Sequence, residues 1–175
     1  MRFIDNLIMN SFLLSILFIS ICGTSANRQA PTADKNSTDL NRSAFYKAME
    51  GNNKDLVNAQ LTQLSSAPAE LKEAFMGAMI MKKAGLGGSP PSKLHLFKEG
   101  HKMLEAAIHQ DPKNAEFRFL RLMIQENAPG FLGYKNEREK DSEFIRKSYK
   151  SLPDEVQHAI IDYNKKSKLL KLDVS

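Results

Sequence analysis

Residues 93–127 read KLHLFKEGHKMLEAAIHQDPKNAEFRFLRLMIQEN, and this stretch decides the fold. Leu94, Phe97, Gly100, His101, Leu104, Ala107 and Ile108 follow one another in steps of three and four, which sets an apolar or small stripe on one helix face. Lys98, Lys102, Glu105 and His109 fall on the other side. The helix is expected to stop at Asp111-Pro112, because a residue before proline is pushed out of the α region. Asn114 then caps a second helix, with Glu116 favourable in its positive first turn. Phe117, Leu120 and Ile124 lie on one face of that helix, and Phe119, Leu122 and Met123 on a neighbouring one. So wide an apolar surface calls for partners on two sides.

The segment FKEGHKMLEAAIHQDPKNAE resembles the tetratricopeptide repeat across the joint between successive units. Gly100 and Ala107 stand at its small packing positions and Pro112 at its corner proline. Arg118 falls where the next unit would carry an aromatic, and NAPGFLGYKNE interrupts the next helix turn, so the chain is repeat-like and not a regular array. The succession FMGAMIMKKA, LFKEGHKMLEAAI, DPKNAEFRFLRLMIQENAPGFLGY and EKDSEFI is also similar to a group of uncharacterised exported proteins of Bacteroidota. That resemblance implies the same architecture and a bacterial envelope setting, with no activity attached.

Outward from the centre the same logic continues. Met1 to Ala26 reads as an export signal, since Phe12–Ile21 (FLLSILFISI) is an apolar core too short to span a bilayer. Thr24-Ser25-Ala26 offers a cleavage site. The alternatives are a lipoprotein anchored at Cys22, against which the bulky Ile21 speaks, or an uncleaved anchor. Residues 27–38 are polar and aperiodic, as a disordered tether would be. Residues 39–172 are expected to form a single all-α domain of six or seven helices, stacked as antiparallel hairpins. Its first helix runs from a cap at Asp39 or Asn41 to Glu50, and its second from Lys54 to Ser65, burying Leu56, Val57, Leu61 and Leu64. A third opens at Pro68, where Gly77 removes bulk and lets a neighbour approach. Gly85–Pro91 (GLGGSPP) reads as a connector, because it lacks the Gly-Lys-Ser/Thr of a phosphate cradle. Phe131, Leu132 and Tyr134 form an apolar loop patch expected to fold back. A helix at 137–149 and a last helix opened by Pro153, with Val156, Ile160, Tyr163 and Leu170 in helical spacing, complete the set.

Composition limits the chemistry. The net charge of +5 permits anionic partners without indicating one, and the single cysteine lies in the leader, so the folded part has neither disulfide nor thiol chemistry. His95, His101, His109 and His158 lack metal-ligand spacing, no Gly-x-Ser-x-Gly elbow exists, and Glu137 and Glu139 lie in a charged run that reads as solvated surface. No cofactor, metal or nucleic acid is expected, and membrane contact only if Cys22 is lipidated. Arg118, Arg121 and Gln125 form a polar stripe which, with Tyr134, could grip a carboxylate or phosphate. The simpler reading has the arginines paired with Glu116, Glu126 or Glu137, clamping the loop. The expected function is a non-catalytic protein-binding or scaffolding module, exported to the periplasm or cell envelope, with a protein or peptide partner. The alternative is a small enzyme, or a binding domain for an anionic ligand, that uses the Arg118/Arg121 region.

Overall fold

The chain divides into two units, Met1–Asp34 and Lys35–Ser175. The computed structural model describes residues 40–173, all within the second unit. The expected export signal, Cys22 and the tether lie outside the described residues.

Seven α-helices and no strand are found among the described residues: α1 (Arg42–Glu50), α2 (Lys54–Leu64), α3 (Ala69–Gly85), α4 (Pro90–Gln110), α5 (Ala115–Asn127), α6 (Arg138–Ser148) and α7 (Asp154–Asn164). The fold is all-α and built from antiparallel hairpins. Side-chain caps set several boundaries. Asn41 Oδ1 accepts from Ala44 N at 2.9 Å, Asn53 Oδ1 from Asp55 N and Leu56 N, and Asn114 Oδ1 from Glu116 N and Phe117 N at 3.1 and 3.2 Å. Each satisfies backbone donors that the first turn leaves unpaired.

The hairpin of α3 and α4 turns on two glycines. A Cβ on Gly77 would stand 2.7 Å from Gly100 O and 2.8 Å from Leu104 N, closer than real side chains approach backbone. A Cβ on Gly100 would meet Met81 N at 2.9 Å. Both small residues marked in the sequence therefore face each other, and the two backbones touch where they cross.

α5 is the buried axis. Apart from Arg118, every residue from Ala115 to Gln125 is buried. It packs against α3, α4, α6 and α7, in keeping with the two apolar faces read from its sequence. Phe45, Phe75, Phe119, Leu104, Leu120, Ile145 and Ile160 fill the core without measurable exposure. Burial of each such side chain contributes roughly 1.5–3 kcal/mol.

Four expectations need correction. Leu56 is 40% exposed, and Gln60 takes a buried place beside Val57 and Leu64, whose seven-residue spacing leaves Leu56 round the side of the helix. The connector shrinks to residues 86–89, because Pro90 and Pro91 serve as the opening residues of α4, where a missing N–H costs little. Phe131 does not fold back: it is 87% exposed at the tip of a short 3-10 turn (Gly130–Leu132). Leu170 is buried, but from a non-helical segment beyond α7. That segment is held by Asn164, whose Oδ1 accepts from Leu172 N at 2.8 Å, and by Arg146, which donates to Leu170 O at 3.0 Å.

Candidate functional site

α5 presents two different environments, a charged centre around Arg121 and an apolar groove beside its carboxyl end. The charged centre arises because Arg121 is itself buried in the packed part of α5, so its guanidinium must find partners inside. Asp141, in the first turns of α6, is fully buried and supplies them. Arg121 Nε donates to Asp141 Oδ2 at 2.7 Å and Nη2 to Oδ1 at 2.8 Å, a two-pronged pair, while Nη1 donates to Glu105 Oε2 at 2.8 Å. Arg118 Nη1 reaches Asp141 Oδ1 at 3.0 Å. Its Nε and Nη2 donate to Pro112 O at 2.9 and 2.7 Å, tying down the α4–α5 corner. The Arg118 guanidinium also lies 4.6 Å above the centre of the Phe144 ring. Tyr134 closes the group by donating its hydroxyl to Glu105 Oε1.

The arginines thus find carboxylates within the chain, but not the three named from sequence. Glu116 is held by Arg42 at 2.9 and 3.0 Å and by the Tyr46 hydroxyl at 3.0 Å. Glu126 accepts from Ser167 Oγ and Lys168 N, and Glu137 pairs with Lys140. The centre brings together Arg118, Arg121 and Tyr134 of the predicted site. Gln125 lies buried on the same helix, and its Oε1 has no hydrogen-bond partner among the described residues.

Electrostatics follow from burial. Desolvation works against the Arg121 charge, but hydrogen bonds to and the charge of Asp141, aided by Glu105, more than offset it and raise its pKa. The Tyr134 phenol is pushed up by burial and then by the neighbouring Glu105. His101 is stacked with Phe97 and meets the Tyr134 ring edge-on, with centroids 4.5 Å apart. The Tyr134 loop is thereby anchored from both sides, by charge and by rings. Among the described residues no cluster of three His, Cys, Asp or Glu side chains could hold a metal.

The groove has the opposite character. It encloses about 1010 Å³ between the end of α1, the α3–α4 connection, and the segment that follows α5. Met49, Met81, Ala84, Met123 and Ile124 form its floor, and Leu86, Phe97 and Leu132 its walls. Leu94, 42% exposed, and Phe131 stand at its mouth. Polar side chains are few: Glu50, Asn52, Lys82, Lys93 and Asn127, with the Tyr163 ring beneath. Sequence reading missed this surface. Its residues come from segments far apart in the chain, and the exposed Leu94 and Phe131 mark it only once the chain is folded.

A smaller polar cleft lies between α1 and α7, where Glu155, His158 and Asp162 face Lys47 and Glu50. Glu50 is bridged to Lys166 and Asp162 to Lys165, so salt links already occupy two of its acids. Comparison with protein-family models, with curated proteins and with solved structures finds no match to this chain.

Proposed function

We propose that this protein is a non-catalytic protein-binding or scaffolding module of the periplasm or cell envelope, and that the groove beside the end of α5 receives its protein or peptide partner. One observation carries the reading: an apolar concavity with Leu94 and Phe131 standing in water at its mouth. Burying such a patch against a partner is favourable at about 25 cal/mol per Å² of apolar surface. The expected export signal supplies the location, and Cys22, if lipidated, would add a membrane tether.

The alternative, a small enzyme or a binding domain for an anionic ligand at Arg118 and Arg121, draws less support. Both guanidiniums are already engaged by Asp141, Glu105 and the Pro112 carbonyl. A ligand there would have to displace a buried carboxylate.

The test is site-directed photocrosslinking from position 94 in cells that make the protein. A discrete adduct is expected, whose partner, once identified and purified, binds the full chain but not its Phe131→Asp variant. Binding that survives Phe131→Asp, or a partner that crosslinks only from the Arg118 side, would remove the groove from consideration.

A further inference from the structure

The groove's polar residues say more about what it accepts. Lys82, in the last turn of α3, and Lys93, in the first turn of α4, are both half-buried in its lining. Neither has a carboxylate within ion-pair distance among the described residues. Glu50, the one acid among the described residues of the lining, is bridged to Lys166 at 3.3 Å. Burial lowers the Lys82 pKa, and repulsion from Lys166 adds to that, with Glu50 opposing. The groove therefore holds an ammonium group whose charge is poorly compensated, beside a floor of three methionines. Methionine is unbranched and polarizable, and it adapts to side chains of varied shape.

The backbone of the occupant is constrained as well. No strand edge exists among the described residues to pair with an extended peptide, and the lining offers few polar groups to satisfy peptide N–H and C=O. A chain entering such a site must carry its own backbone hydrogen bonds, which a helix does. Phe131 is 87% and Leu94 42% exposed, so a molecule confined to the floor leaves both in water, whereas a helix laid across the mouth brings apolar side chains on successive turns to cover them.

We infer that the groove takes an amphipathic helix of a partner protein, apolar face down, with an aspartate or glutamate placed to pair with Lys82. This inference rests on the groove being the docking surface proposed above.

Selection of a displayed library of amphipathic helical peptides, randomised in their flanking charges, tests both ideas separately. The bait is the full chain, and the counter-bait its Phe131→Asp variant. The expected result is enrichment on the full chain alone of peptides with an acid at one end of the apolar face. Their affinity should fall about tenfold with Lys82→Glu, and less with Lys82→Gln, which keeps the comparison if the first variant melts early. Enriched peptides with no acidic bias, or indifferent to both Lys82 variants, would overturn the carboxylate pairing and leave the docking surface standing. Absence of enrichment over Phe131→Asp would overturn the docking surface itself. Uptake of a fluorescent fatty acid without peptide enrichment would assign the groove to an acyl chain and overturn the helix.

Discussion

Within about one turn of the same helix, α5 passes from a site its own chain has closed to one its own chain has left open. Around Arg121, two arginines meet two carboxylates, and a tyrosine caps the set. Around Met123 and Ile124, apolar walls end at a mouth where Leu94 and Phe131 face water. The contrast teaches where to look for binding in a helical stack. Charged residues in the interior attract notice, yet interior charge has to be matched during folding and so becomes structure. Apolar surface carries no such requirement and can wait for a partner.

Experiments that separate the two regions can be ranked by the effect expected. Asp141→Ala should be the most damaging, because it takes the two-pronged partner from the buried Arg121 and leaves that guanidinium with Glu105 alone. Arg118 keeps the Pro112 carbonyl, and a loss of about 3–5 kcal/mol is expected in chemical denaturation. A loss below about 1 kcal/mol would show that the centre is not structural and would reopen it as a ligand site. Gly77→Ala comes next. Overpacking costs typically ~1–3 kcal/mol, and contact with backbone puts this position near the upper end. That exceeds the ~1 kcal/mol by which alanine favours a helix. Since α4 carries Glu105 to the charged centre on one side of the Gly77–Gly100 crossing and Leu94 and Phe97 to the groove on the other, both regions should be disturbed at once.

Tyr134→Phe should cost about 1 kcal/mol by removing the hydrogen bond to Glu105. It should also soften alkaline unfolding. Burial, followed by nearby Glu116, Glu105 and Glu126 respectively, raises the phenols of Tyr46, Tyr134 and Tyr163 above the ordinary 10.0. Their contribution is intact below pH 10.0 and is lost as pH rises beyond it, since tyrosines of the unfolded chain ionise there and the folded ones resist. Removing one of the three should make the decline shallower in a pH-dependent melting series. Smallest of all is Phe131→Asp, expected to move stability by no more than about 0.5 kcal/mol. A larger drop would mean that this side chain supports the fold and is not free for a partner.

The helices were legible in the sequence because period and caps agree. Asn114, Pro112 and the doubled apolar face of α5 each correspond to a local physical constraint, and Gly77 and Gly100 announced a close crossing. The partners of the arginines were harder to read. Asp141 lies in the run EREKDSE, which looks like solvated surface, and only its four-residue spacing from Ile145 hints that it points inward. Glu105 falls among the polar positions of α4, yet its side chain reaches round to Arg121 and Tyr134. The groove could not be read at all, since concavity is a relation between helices that no single periodicity records.

Leu170 gives the final segment a weight its lack of helix conceals. It occupies the core without exposure, and the backbone around it is fastened by Asn164 and Arg146. A single cut between Asn164 and Leu170 would therefore open the interior although all seven helices stayed whole. Helix content would be a poor gauge of such damage, and exposure of the apolar core the better one.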